Sequence, residues 1–246
     1  MESRLDELKR LVEESGDIVF FGGAGVSTES GIPDFRGTGG LYNMEYKYPP
    51  ETILSHSFYE AHPEEFFRFY RDKILFSGIK PSRAHIALAK MERAGKLSAV
   101  VTQNIDSLHQ AAGSKKVYEL HGSIERNYCT RCGRFFSKEE IDTMPLVPIC
   151  PCGGRIKPDV VLYEEALDGR VLEKSIKAIA ECDLLIVGGT SLTVYPASGL
   201  LRYFKGSSLV IINKTETPYS SMATLSIYGS IGEALEYAAR DIKELS

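Results

Sequence analysis

The sequence predicts an α/β fold, a doubly wound parallel sheet with a smaller lobe beside it. Three observations carry that expectation. Short apolar runs alternate with helical stretches, the pattern of a parallel sheet covered on both faces. A glycine-rich loop follows the first apolar run directly, where such a sheet takes nucleotides. Two stretches break the alternation, one rich in aromatic residues and one holding four cysteines. They read as insertions that together build the smaller lobe.

Residues 3–14 form an amphipathic helix with Leu5, Leu8, Leu11 and Val12 on one face. DIVFF, bounded by Gly16 and Gly22, is a buried strand. Further strands are expected at 98–102, 116–120, 184–188, 208–213 and 225–228, with helices at 83–94, 171–181 and 232–243. Residues 38–80 read as loop plus helices, and residues 125–157 hold the cysteines. No internal repeat or low-complexity tract interrupts the chain.

Composition narrows the function. Lys plus Arg is 29 against 33 for Asp plus Glu, which makes the chain a poor candidate for general nucleic-acid binding and leaves only a local basic patch open. At 246 residues and 43% hydrophobic the chain can bury a sizeable core, which excludes disorder as the main state. No apolar run approaches the ~20 residues of a membrane helix. The charged start MESRLDELKRLVEES carries no secretory core, so the expected location is the cytoplasm.

Cys129, Cys132, Cys150 and Cys152 are spaced C-x2-C-x17-C-x-C. Two close pairs can converge on one tetrahedral zinc as four thiolates with no open position. The bland reading is reduced thiols in unrelated loops. Gly133, Gly153 and Gly154 follow the pairs, where the backbone of a metal knuckle turns tightly. Cys182 stands apart before an apolar run and reads as a small buried hydrophobe.

Five segments carry polar residues at strand ends. In FFGGAGVSTESGIPDFRG, Gly23 and Gly25 follow a strand and Thr28 stands where a third glycine would complete G-x-G-x-x-G. A tight turn accounts for these glycines as well as a nucleotide site does. The continuation adds Ser27, Phe35 to cover a flat ring and Arg36 to pair with phosphate. Beyond the next strand come Gln103, Asn104, Asp106 and His109, with Asp106 also suited to cap the helix of 107–112. His121 follows a third strand, where it is as readily a structural residue as a base. Thr190 and Ser191 follow a second glycine turn, and Asn213 ends a strand. Their convergence on one crevice is far more specific than any single motif.

GAGVSTESGIPDFRG, TQNIDSLH, LHGS, the two cysteine pairs and GTSLTVYPA, in this order, resemble the sirtuin family of NAD-dependent protein lysine deacylases. The likeness runs from about Asp17 to the end. It implies a Rossmann-like NAD-binding domain from 1–37, 81–124 and 158–246, a helical module with the cofactor loop at 38–80, and a zinc-binding module at 125–157. It implies NAD as a consumed co-substrate, one structural zinc ion and acetylated protein lysines as substrates, with no membrane partner. By position, His121 resembles the catalytic base, with Asn104 beside it in the chemistry. Gln103, Asn104, Ile105 and Asp106 resemble the ribose and nicotinamide contacts. Ala24, Thr28, Phe35 and Arg36 resemble the glycine-loop contacts. Thr190, Ser191, Asn213 and Ile231 resemble contacts to the adenosine half. Val161, Leu162, Tyr163, Glu164 and Val194 resemble the peptide-binding segments.

The implied activity is transfer of the acyl group from lysine to ADP-ribose with release of nicotinamide. A mono-ADP-ribosyltransferase shares the electrophile and is the alternative, as is a non-catalytic NAD- and zinc-binding module. Three features are particular to this chain. Ser107 replaces a glycine that many members have, which is expected only to alter a helix start. Glu164 and Glu165 in the peptide segment predict a modest preference for basic substrate flanks. Phe67 and Tyr70 stand where the desuccinylase branch of the family has a Tyr and an Arg, so the acyl group is expected to be uncharged, provided that Arg68 or Arg71 does not enter the pocket.

Overall fold

A computed structural model of the chain describes residues 2–34 and 46–245. Its main sheet has six parallel strands: β1 (Ile18–Gly22), β2 (Leu97–Thr102), β3 (Val117–Glu119), β7 (Leu184–Gly188), β8 (Ser208–Asn213) and β9 (Leu225–Tyr228). Their order is β3-β2-β1-β7-β8-β9. Every residue of β1 is buried, because helices cover both faces of the sheet. Ile18 and Phe20 face one core together with Leu8, Leu88 and Leu235. These come from helices α1 (Glu2–Glu14), α5 (Arg83–Arg93) and α9 (Ile231–Ala239). Val19 and Phe21 face the other core, with Ile179 of α8 (Gly169–Glu181) and Leu200 of the 3-10 segment Ala197–Tyr203. Such two-sided burial is why these strands read as unbroken apolar runs.

The smaller lobe has two parts. Helices α2 (Pro50–Ile53), α3 (His56–Ala61) and α4 (Pro63–Lys73) pack an aromatic core of Phe58, Tyr59, Phe66, Phe67 and Tyr70. Ile124, Val160 and Leu162 from elsewhere in the chain complete it. Beside it lies a three-stranded antiparallel sheet, β5-β4-β6, made of β4 (Gly122–Cys129), β5 (Phe135–Ser137) and β6 (Ile156–Val160). Helix α7 (Lys138–Asp142) starts from a capping box in which the Ser137 hydroxyl accepts from Glu140 N–H. Pro158 sits in β6, an edge strand of this sheet, where the missing N–H does least harm. Among the described residues no helix is long and apolar enough to cross a membrane.

Candidate active site

The sheet reverses its winding between β1 and β7: the chain passes from β1 to β2 on one side and from β7 to β8 on the other. Ligands of open α/β sheets bind at the carboxyl ends of the strands at such a point. Two glycine turns meet there. Gly25 N–H donates to the Gly189 carbonyl at 2.8 Å. A Cβ on Gly25 would fall 2.7 Å from Gly189 Cα, and one on Gly23 would fall 2.8 Å from Thr190 Cβ. The two turns pack too closely for side chains, so glycine is required at both positions for them to meet under the crevice.

A cavity of about 770 Å³ opens over this junction. Ala24 and Thr28 line it from the glycine loop, Gln103, Asn104 and Ile105 from beyond β2, and His121 from beyond β3. Thr190 and Ser191 line it from beyond β7, Asn213 from the end of β8 and Ile231 from the start of α9. Val161, Leu162, Tyr163, Glu164 and Val194 border the same cavity. Asp106 instead borders a side cavity of about 20 Å³ shared with Ser27, Asn104 and Ile105, room for about one water. Phe35 and Arg36 lie outside the described residues.

His121 is fixed by one bond. Its Nδ1 lies 2.9 Å from the Gln103 carbonyl. A carbonyl only accepts, so Nδ1 carries the proton and Nε2 keeps the lone pair. Burial lowers the imidazole pKa below its usual value, and the bond to Gln103 opposes that shift. Above that lowered pKa the ring is neutral and able to take a proton. Gln103 is held in turn, its side-chain amide donating to Thr190 Oγ1 at 3.0 Å, which joins the ends of β2 and β7.

A second chain of bonds runs through Ser27, which is fully buried. Asn104 Nδ2 donates to Ser27 Oγ at 3.0 Å, and Ser27 Oγ donates to Asp106 Oδ2 at 2.6 Å. Asp106 Oδ1 accepts from Leu108 N–H at 3.0 Å, so the capping expected of Asp106 occupies one of its oxygens. Burial raises the Asp106 pKa, while the Ser27 hydroxyl opposes it. Each oxygen retains a lone pair for a further donor.

Gly122, directly after His121, has φ +77°, and a Cβ there would fall 1.9 Å from the Asp159 carbonyl oxygen. Only glycine lets β6 approach this closely. Val161 N–H then donates to the His121 carbonyl at 3.0 Å, so the segment expected to bind peptide is laid beside the imidazole. The two carboxylates of this segment are held differently. Glu164 accepts from Ser57 N–H and Ser57 Oγ, both at 2.9 Å. Glu165 is bonded to His56 at 2.8 Å and Lys157 at 3.1 Å. Glu165 is thus partly neutralised by Lys157, whereas Glu164 is exposed, is held by neutral serine groups and keeps its charge toward a peptide flank.

On α4, Tyr70 lines the cavity and Phe67 packs behind it in the aromatic core. Neither neighbouring arginine enters. Arg68 is exposed, and Arg71 Nη2 donates to the carbonyls of Ile141, Met144 and Pro145.

The sulfurs of Cys129, Cys132, Cys150 and Cys152 all lie within 4.8 Å of one another. Cys129 and Cys152 are 3.4 Å apart, and Cys132 and Cys150 are 3.7 Å apart. Tetrahedral Zn–S bonds of ~2.3 Å would place sulfurs ~3.8 Å apart, so the donor set fits zinc. Gly133 and Gly153 take φ +70° and +82°, and each donates its N–H to the carbonyl of the first cysteine of its pair. A Cβ on Gly154 would fall 2.7 Å from Cys129 Sγ.

Glu29 escaped sequence reasoning. It lines the cavity and accepts from Ser230 Oγ and from Gly232 N–H at the start of α9, where a carboxylate complements the helix dipole. Ser230 and Gly232 lie some 200 residues away in the chain and its third partner, Arg83, lies 54 away, and no local motif announces them.

The Sir2 family's sequence pattern matches residues 23–196. The chain is 60% identical to an NAD-dependent protein deacetylase of Clostridium acetobutylicum, over 95% of this chain and 97% of that protein. It also resembles a solved Sir2–p53 peptide–NAD+ complex, with a TM-score of 0.83 and 40% identity over 96% of both chains. A Sir2Tm structure bound to a propionylated peptide gives 0.85 and 40%, again over 96% of both. Taken with the switch-point cavity, the bonded His121 and the four-thiolate cluster, these matches show that the chain belongs to the Sir2 family.

Proposed function

We propose that this chain is an NAD-dependent protein lysine deacetylase that moves the acyl group from lysine to ADP-ribose and releases nicotinamide. His121 carries this reading: a neutral imidazole at the switch-point cavity, with Nδ1 committed to Gln103 and Nε2 left to take a proton. The relative of 60% identity that is named for this activity supports it.

Bound NAD supplies an electrophilic ribose carbon with nicotinamide as its leaving group. The glycine loop after β1, which lines the cavity at Gly23, Ala24 and Gly25, is the segment suited to the pyrophosphate. Thr190, Ser191, Asn213 and Ile231 border the part of the cavity assigned to the adenosine half. Asp106, with a lone pair left on each oxygen, is suited to accept from a carboxamide N–H. Asn104, oriented by Ser27, serves the ribose. His121 Nε2 removes a proton from a ribose hydroxyl and so makes it a nucleophile toward the acyl carbon. Water balances the reaction: acyl-lysine, NAD and water give lysine, nicotinamide and O-acyl-ADP-ribose. Four thiolates leave zinc no open position, so the metal would hold the lobe and activate no water. Assignment of 38–80 to a helical module and 125–157 to a zinc module, on a nucleotide-binding domain made of the rest, belongs to this proposal. So does a cytoplasmic location, where thiols stay reduced for the metal.

The test mixes the protein with an acetyl-lysine peptide and NAD. Nicotinamide release matched by loss of the acetyl mass is expected. A peptide that gains the mass of ADP-ribose would establish the transferase instead, and no nicotinamide release would leave a binding module.

A further inference from the structure

Between His121 and Cys129, strand β4 loses its pairing with β6. Gly122 pairs with Val160 and Ser123 with Asp159, but the next paired residue, Asn127, faces Pro158. Ile124, Glu125 and Arg126 therefore have no partner on β6, as in a bulge. Ile124 N–H donates instead to the Ile105 carbonyl at 2.9 Å, and Glu125 N–H to Ser123 Oγ at 3.1 Å. The gap falls at a sensitive place, because β6 leads directly into Val161 and the segment beside the imidazole.

The Arg126 side chain spans this gap. Its Nε donates to Asp159 Oδ2 and its Nη1 to Glu119 Oε2, both at 2.7 Å. One guanidinium thus ties β6, in the smaller lobe, to the end of β3, in the main sheet. Glu119 stands two residues before His121, and Asp159 two residues before Val161. The bond from Val161 N–H to the His121 carbonyl lies next to this clamp. Surface ion pairs contribute little, but the Glu119 side chain is only 8% exposed. Its other donors, Gln110 and Ser107, are neutral, so Arg126 supplies the cation that its charge meets.

We propose that Arg126 is a positioning residue that sets the peptide segment, from Val161 onward, against His121. The inference rests on the deacetylase reading and adds a residue to it. Arg126 does not line the cavity; it acts through Asp159 and Glu119 and touches no reacting atom. Without the guanidinium, two carboxylates at the junction of the lobes lose their common partner, one of them buried. A buried charge left unpaired is strongly unfavourable, and separation of β6 from β3 relieves it by letting water in. That movement carries Val161 away from the His121 carbonyl.

The experiment compares wild type, Arg126→Ala and Arg126→Lys, with thermal melts to check the fold. Turnover of one acetyl-lysine peptide is followed by nicotinamide release at saturating NAD, and ADP-ribose affinity is measured by calorimetry. Misplacement by ~1 Å can cost ~10²-fold, so peptide kcat/KM in Arg126→Ala should fall by about ten- to a hundredfold. The ADP-ribose Kd should hold, because the glycine loop, Thr190 and Asn213 belong to other strands. A lysine is a point charge that cannot bridge two carboxylates as a planar guanidinium does, so Arg126→Lys should fall between the two. Unchanged peptide kcat/KM in folded Arg126→Ala overturns the inference. An equal loss of ADP-ribose affinity also overturns it, since general damage weakens both. If Arg126→Ala does not fold, the same split in Arg126→Lys decides. No peptide turnover by wild type overturns the deacetylase reading, and this inference with it.

Discussion

Acidification should unfold this protein through a buried histidine pair behind the site. His85 and His109 are 0% and 1% exposed, with ring centroids 4.6 Å apart in an edge-on contact. Ser82 N–H donates to His85 Nδ1 at 3.1 Å, so the neutral ring carries its proton on Nε2, and a second proton on Nδ1 would break that bond. Burial lowers the His85 pKa to about 4 and pushes His109 well below its usual value. The depressed pKa means that the unfolded chain protonates first. The stability is fully present above about pH 6.5 and is lost as pH falls toward about 4. Near pH 5 an unfolded histidine is protonated about 30 to 1, whereas folded His85 is about 10 to 1 neutral. The loss from this residue is ~2 kcal/mol, and His109 acts in the same direction. Urea unfolding of wild type and His85→Gln near pH 7.5 and near pH 5 reads it out, since glutamine keeps an acceptor for Ser82 and cannot titrate. Any loss of metal in acid is common to both proteins and cancels in the difference. Wild type should lose ~2 kcal/mol more than the variant between the two pH values. Parallel profiles would refute the reasoning.

His121→Ala should keep its fold and its NAD affinity while deacetylation falls by at least ~10²-fold; near-normal turnover in a folded variant would remove His121 from the chemistry. Chelation, or Cys132→Ser, should unfold the smaller lobe and abolish activity indirectly. Metal analysis checks this, and fully active protein with well under one zinc per chain would contradict it. Succinyl-lysine should be turned over ~10²-fold or more slowly than acetyl-lysine, because a buried carboxylate without its cation costs about 3–5 kcal/mol. Equal rates on one peptide would show that a cation reaches the cavity after all.

The central sheet was legible because burial on both faces leaves an unmistakable trace, as in IVFFG and LLIVG, each ending in glycine where the site begins. The second sheet was not. Its longest strand, GSIERNYC, alternates poorly because the register with β6 shifts between Ser123 and Asn127, and an irregularity there turns side chains out of a period of two. Its partner IKPDV contains a proline, which argues against a strand unless its edge position is known. The site residues were found as strand-end polar groups, yet their bonding was not. Ser27 was visible in the glycine loop, but that it bridges Asn104 and Asp106 depends on packing β1 beside β2. Glu165 shows the reverse limit: sequence displays a charge and conceals the His56 and Lys157 that engage it.

Ser107 shows how such concealed partners alter a functional argument. The residue has φ +57°, the left-handed region in which a side chain costs on the order of 1–3 kcal/mol and glycine costs nothing. A serine expected only to adjust a helix start therefore carries strain that needs compensation. Its hydroxyl lies 2.8 Å from Ser123 Oγ and 3.3 Å from Glu119 Oε1. Glu119 also accepts from Gln110 and from Arg126, which bonds Asp159 of β6. Glu119 ends β3 and Ser123 lies in β4, on either side of His121 in the chain. The polar side chain thus fastens the turn after Asp106 to both strands that hold His121. A glycine would relieve the strain and sever that tie, leaving the Ile124 N–H bond to the Ile105 carbonyl and the Gln110–Glu119 bond to hold the turn against these strands.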